Sequence, residues 1–224
     1  EQILSSHTKV FGGGESRVLN QIIIKYINQN MTNELPENLS EFDSSIFGKI
    51  GSSYIEAARK FQSKFEYITD KQPNNFKWIA FIKLALPNAK IIHCTRNPLD
   101  NCLSIYKNYF NFEDNPYAYH LDELGQYYNL YKNIMNFWHT LIPGFIYDIS
   151  YEKLIENQEE ETKKLLHRCN LEWDENCINF FKNKRSVSTA SVMQVRRPLY
   201  KDSIESWKKY EKNLSPLIKR LNLK

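Results

Sequence analysis

Ala89-Lys90-Ile91-Ile92-His93-Cys94-Thr95-Arg96-Asn97-Pro98-Leu99-Asp100-Asn101-Cys102-Leu103-Ser104 holds the best strand of the chain and the start of the helix after it. Lys90 to Thr95 is a short, mostly apolar run, the pattern of a parallel strand covered on both faces. Pro87-Asn88-Ala89 ends the preceding helix and turns the chain into this strand. Pro98 stands where a first helical turn tolerates a missing N–H, and the helix is expected to reach about Phe110.

Working outward, the same alternation recurs. Apolar residues at Val18, Leu19, Ile22, Ile23 and Tyr26 give Ser16–Asn28 a helical period. A second helix is expected over Tyr54–Lys64, and a strand over Phe65–Thr69. Phe76–Leu86 reads as a helix. On the far side, Tyr119–Leu141 is a long aromatic helix that stops at Pro143, and Gly144 opens a strand over Phe145–Ile149. Helices follow at Tyr151–Glu156, Glu159–Cys169 and Asp174–Phe181. Two short ones, Ser203–Tyr210 and Leu214–Leu221, close the chain. His7–Gly14 reads as a turn, 29–46 as a polar surface loop, and 183–200 as a basic irregular stretch. Short apolar strands between helices specify an α/β fold: a three-layer parallel sheet with helices on both faces.

The 224 residues suffice for one domain with its own core. Lys plus Arg number 30 against 26 Asp plus Glu, a net charge of +4. That balance is too mild to argue for a nucleic-acid partner. Cys94, Cys102, Cys169 and Cys177 show neither a CxxC pair nor metal-ligand spacing, which suits reduced thiols in a cytoplasmic protein. No apolar run is long enough to span a membrane and no signal-peptide pattern is seen, so no membrane insertion is expected. His93, His120, His139 and His167 have no partners that suggest a metal and read as core or surface residues.

In parallel sheets of this kind ligands bind beyond the carboxyl ends of the strands. Asp70-Lys71 follows the first strand, and Arg96-Asn97-Pro98 the second, with Ser104 on the helix beyond. Ser150-Tyr151-Glu152 follows the third. Cations beside a helix N-terminus make a ready anion site, and an aromatic beside them can stack on a base. The residues alone therefore point to a nucleotide-like anionic ligand.

The quoted stretch resembles the 3′-phosphate-binding segment of sulfotransferases that use 3′-phosphoadenosine 5′-phosphosulfate (PAPS). In that family a strand ends in Arg and a Ser follows eight positions later, as Arg96 and Ser104 do. The chain is most similar to the bacterial group that often follows tetratricopeptide repeats and is related to tyrosylprotein sulfotransferases. Further blocks match in order. They are Glu1-Gln2-Ile3-Leu4 through Gly14-Glu15, Asp70-Lys71-Gln72-Pro73-Asn74-Asn75-Phe76, Tyr151-Glu152-Lys153-Leu154, and Arg196-Arg197-Pro198-Leu199-Tyr200 through Trp207-Lys208-Lys209-Tyr210.

The resemblance implies a P-loop NTPase-like sulfotransferase fold over 1–224 and sulfuryl transfer from PAPS to an acceptor hydroxyl by in-line displacement. It implies no metal. Glu15 would be the general base, with His7 as its rival, and Lys71 would stabilise charge on the bridging oxygen. Arg96 and Ser104 would hold the 3′-phosphate, and Tyr151 would lie near it or near the adenine. Arg196 and Arg197 would close over the donor phosphates, and one of Ser188, Thr189 and Ser191 would assist the transition state. The acceptor class stays open among protein tyrosine, carbohydrate, lipid and small phenol. The family's Gly-rich phosphosulfate loop and its strand would precede Glu1; neither is among these residues, so the native protein is expected to be longer or to have lost its N-terminus. Two other readings stay open: a P-loop kinase or NTPase, although no GxxxxGK[ST] occurs here, and a non-catalytic interaction module.

Overall fold

The computed structural model describes residues 1–30, 43–61, 64–110, 115–187 and 194–222. They form two compact units. The first takes Glu1–Ala89 and Asp174–Arg196, the second Lys90–Trp173 and Arg197–Lys224.

In the first unit, strands β1 (Val10–Gly12) and β2 (Tyr67–Thr69) pair in parallel, with Val10 opposite Tyr67 and Gly12 opposite Thr69. Helices α1 (Val18–Asn30), α2 (Ser45–Phe61) and α3 (Ile79–Ala85) supply its core, α2 packing on both others. Ile23 and Ile50 are fully buried and Ile79 nearly so. Burying one such side chain contributes about 1.5–3 kcal/mol, so these apolar stripes hold the helices. The indole N–H of Trp78 donates to Asn20 Oδ1 at 2.9 Å, tying α1 to the turn before α3.

In the second unit, β3 (Ile91–Thr95) and β4 (Ile146–Ser150) pair in parallel over their whole length, Ile91 opposite Ile146 and Thr95 opposite Ser150. Helices α4 (Pro98–Lys107), α5 (Leu121–Leu141), α6 (Tyr151–Glu156), α7 (Gln158–Arg168) and α8 (Ser215–Leu221) complete it. One apolar cluster joins α4, α5 and α8: Leu99, Cys102 and Leu103 meet Leu124, Leu214, Leu217 and Leu221. The boundaries follow local chemistry. Asn97 caps α4, its side chain accepting from the backbone N–H groups of Leu99 and Asp100, with Pro98 in the first turn. Ser150 caps α6 in the same way. None of the described helices is long and apolar enough to cross a membrane.

Four segments differ from the sequence expectation. The helix expected from Tyr54 begins at Ser45, and that expected over Ser203–Tyr210 is a 3-10 turn over Ser206–Tyr210. His7–Gly14 is not turn throughout, because Val10–Gly12 forms β1. Three residues, the last of them the first of three glycines, are too few to show alternation; the pairing with β2 makes them a strand. Asp174–Phe181 is two short 3-10 turns, Glu175–Cys177 and Phe180–Lys182, rather than a helix. Asp174 caps the start of the first by accepting from the backbone N–H of Asn176. Most of the loop expected at 29–46 lies outside the described residues.

Candidate functional site

The first unit brings Glu15 and Lys71 together. Hydrogen bonding continues past the last strand pair: Gly13 N–H donates to Thr69 O at 2.9 Å, and Lys71 N–H to Gly14 O at 2.9 Å. A Cβ at 13 would lie 2.3 Å from Thr69 O, and Gly14 has φ +69°, so the turn needs glycine at both positions. It delivers Glu15 to the carboxyl end of β1 directly beside Lys71 at the end of β2. The Lys71 ammonium is ion-paired with Glu15 Oε1, and 37 and 35% of the two side chains stay accessible. A substrate can therefore reach both.

The turn is braced from beneath. Glu1 Oε1 accepts from Gly14 N–H at 2.8 Å and from the Thr69 hydroxyl at 3.1 Å. Glu1 Oε2 accepts from Arg185 Nη2 at 2.8 Å. Burial works to raise the Glu1 carboxyl, but the Arg185 guanidinium and the Gly14 N–H outweigh it and hold the group below its ordinary value. Asp70 is also structural: Tyr54 O–H donates to it at 2.8 Å, and burial moves its carboxyl above the ordinary value. His7, the rival base, is 5% exposed and its Nδ1 accepts from Lys9 N–H, so an acceptor hydroxyl has little access to it.

The second unit places Arg96 and Tyr151 side by side at the ends of β3 and β4. The guanidinium carbon of Arg96 lies 5.0 Å from the Tyr151 ring centroid. Arg96 Nη2 donates to Ser203 O at 2.6 Å, and the Tyr151 hydroxyl bonds Ser203 Oγ at 2.8 Å. Arg96 Nε is buried and has no hydrogen-bond partner among the described residues. A buried cationic N–H without an acceptor is costly, and an anion reaching it would supply the missing bond. Ser104 sits two turns into α4, half-buried, and makes no hydrogen bond with Arg96 or Tyr151. Glu152 Oε1 accepts from Asn97 N–H at 2.8 Å, locking the two strand ends to each other.

Sequence reasoning missed the support for this corner. Asp100 is 1% exposed. Its carboxylate accepts from Glu205 N–H at 2.7 Å, Ser206 O–H at 2.9 Å and Trp207 N–H at 3.0 Å. It thus anchors the segment that presents Ser203. A carboxylate in a first helical turn is so often a solvated dipole partner that the sequence carried no signal for this role.

The two C-terminal arginines are engaged differently. Arg196, in the first unit, donates to Asn183 O at 2.5 Å and Arg185 O at 2.6 Å. Arg197, in the second, stacks on Tyr200 with 3.5 Å from guanidinium carbon to ring centroid. Closing on phosphate would require Arg196 to give up both carbonyls. Ser188, Thr189 and Ser191 lie outside the described residues. His93 and His139, expected to be core or surface residues without partners that suggest a metal, share one carboxylate, Asp148.

Comparison with known proteins gives the family and the fold. The family model described as "Sulfotransferase family" matches residues 1–175. A protein of Aquifex aeolicus (strain VF5), itself described only as uncharacterized, is 37% identical over 229 residues. The match covers 99% of this chain but 30% of that protein, so the chain spans under a third of its relative's length. Two solved structures share the fold. The sulfotransferase domain from the Synechococcus PCC 7002 olefin synthase has TM-score 0.62 and 16% identity, covering 100% of this chain and 89% of that one. The sulfotransferase domain from the curacin biosynthetic pathway has TM-score 0.56 and 14% identity, covering 100% and 92%.

Proposed function

This chain belongs to the sulfotransferase family, and from that premise we propose that it transfers a sulfuryl group from PAPS to an acceptor hydroxyl. The observation that carries the proposal is Arg96: a half-buried guanidinium, stacked on Tyr151, whose buried Nε–H lacks an acceptor among the described residues. A phosphate oxygen supplies that acceptor, and the aromatic face beside it suits a purine nucleotide. Ser104 adds a hydroxyl from α4. Arg196 and Arg197 join only on a rearrangement that frees them.

Bound PAPS supplies the activated sulfuryl group, which passes to the acceptor oxygen in line with departing PAP, its desulfated product. Glu15 takes the acceptor's proton as the oxygen attacks, because an alcohol or phenol is a weak nucleophile while it holds that proton. Lys71 turns its ammonium from Glu15 to the oxygen where negative charge develops. The backbone bonds across Gly13 and Gly14 fix both groups in advance, so orientation is prepaid. We place the chain with the bacterial group similar to tyrosylprotein sulfotransferases. The acceptor is a hydroxyl on a protein tyrosine, a carbohydrate, a lipid or a small phenol.

The test is turnover of labelled PAPS against a panel of such acceptors, with ATP as a competitor. The expected result is PAP release that needs an acceptor and is inhibited by PAP but not by ATP. Absence of both PAP release and PAP binding would overturn the proposal, and ATP competing as well as PAP would point to a kinase-like nucleotide site.

A further inference from the structure

We infer that His93, His139 and Asp148 form a zinc-binding site that clamps β3, β4 and α5 together. Among the described residues, one ligand atom from each lies within 4.8 Å of the other two. The fold generates the cluster. His93 and Asp148 are paired in the parallel register of β3 and β4, so they lie side by side on one face of the strand pair. Tyr131, Met135 and His139 are spaced four apart along α5, a single stripe of the helix. The stripe lies on that face: the His93 ring centroid is 5.7 Å from Tyr131 and 6.3 Å from His139.

The distances suit a small cation. His139 Nε2 is 3.3 Å from Asp148 Oδ2, and His93 Nδ1 is 2.6 Å from Asp148 Oδ1. Ligands at about 2.0–2.1 Å from tetrahedral zinc sit about 3.3 Å apart; the two contacts use different oxygens of Asp148, so on binding the short His93–Asp148 contact lengthens while the ligand atoms, all within 4.8 Å of one another, draw together on the ion. Two imidazoles and one carboxylate are a borderline nitrogen–oxygen set that zinc accepts, with the fourth position left to water. Water has access, since 49% of the Asp148 side chain and 34% of His139 are exposed, against 15% of His93.

Tyr131 provides the outer contact such a site needs. Its hydroxyl is hydrogen-bonded to His93 Nε2. Without a cation, His93 donates its Nδ1 proton to Asp148, which can only accept, and Tyr131 donates to Nε2. With a cation on Nδ1, the ring proton moves to Nε2 and Tyr131 accepts it. A hydroxyl serves both tautomers, so His93 changes role without moving its neighbours. Fixing the second nitrogen of a ligating histidine in this way orients the ring on the metal. The bound ion would tie α5 to the paired strands, and the gain would appear as resistance to unfolding.

Zinc alone is the probe, titrated into the intact chain by calorimetry, with melting followed in parallel. One equivalent is expected to bind with a dissociation constant in the micromolar range or below and to raise the melting temperature. His139→Ala and Asp148→Asn, both at partly exposed positions, should each weaken binding at least tenfold while keeping the native circular dichroism. Cys94→Ser should leave affinity unchanged, and cobalt in place of zinc should show ligand-field bands without a thiolate charge-transfer band. No saturable binding, equal affinity in the His139→Ala/Asp148→Asn double variant, or loss of binding in Cys94→Ser would overturn the inference. In those cases the cluster is a hydrogen-bonded network only.

Discussion

Removing the Asp100 carboxylate should release the segment that holds Arg96 and Tyr151. Its oxygens serve three donors, Glu205 N–H, Ser206 O–H and Trp207 N–H, from a site that is 1% exposed. A hydrogen bond to a charged group contributes about 1.5–3 kcal/mol net. Glu205 is exposed, so its N–H recovers much of that from water, and the Ser206 hydroxyl can rotate away. One full bond for Trp207 and part of the other two gives about 3–5 kcal/mol for Asp100→Ala. Asp100→Asn keeps the oxygen facing Ser206 and Trp207 and sets an N–H against that of Glu205, so about 1.5–3 kcal/mol is expected. Urea unfolding gives both values from the shift in midpoint at constant slope, and hydrogen exchange at residues 205 and 207 gives the local opening. Asp100→Ala within 1 kcal/mol of the parent would refute the reasoning, as would an Asp100→Asn variant no more stable than Asp100→Ala.

Other outcomes follow from the same geometry. Glu15→Gln should lower kcat about 10²–10⁴-fold, and Lys71→Ala about 10²–10³-fold, with little change in unfolding midpoint because both side chains are partly solvated. The Glu1 carboxyl has a folded-state value below the ordinary 4.5, so its pairing with Arg185 stabilises the fold above that pH and the contribution is lost as pH falls through the lower folded value. Arg185→Met should therefore destabilise the chain at neutral pH and flatten the acid limb of its stability profile; an unchanged limb would count against the bracing role. Burial pushes the Cys102 and Cys177 thiols up to about 12. Alkylation of the native chain followed by mass spectrometry should mark exposed Cys94 first and leave Cys102 and Cys177 unmodified.

What could be read in the sequence divides along physical lines. Element type was legible where a long apolar period existed, as in α1, α5 and the β3 strand, and where punctuation was explicit, as at Asn97-Pro98 and Pro143-Gly144. Pairing-dependent structure was not. Val10–Gly12 is a strand because β2 lies beside it, and no local pattern encodes a partner some 57 residues away. The candidate site divides in the same way. Lys71, Arg96 and Tyr151 follow strands, a position legible from the alternation alone. Their supports, Arg185 beneath the Glu15 turn and Asp100 and Ser203 beside Arg96, are contacts between residues far apart in sequence. The His93–His139–Asp148 cluster was hidden for the same reason: strand register and helix stripe create it, and each residue alone is ordinary.

Comparing PAP with 5′-AMP, in the parent chain and in Arg96→Met, tests the central claim most directly, since the two nucleotides differ only in the 3′-phosphate that Arg96 is proposed to hold. PAP should bind the parent chain about 10–150-fold more tightly than 5′-AMP, the equivalent of one charged hydrogen bond, and Arg96→Met should erase that difference while leaving 5′-AMP affinity as it was. Equal loss for both nucleotides, or a preference for PAP that survives the substitution, would contradict the account.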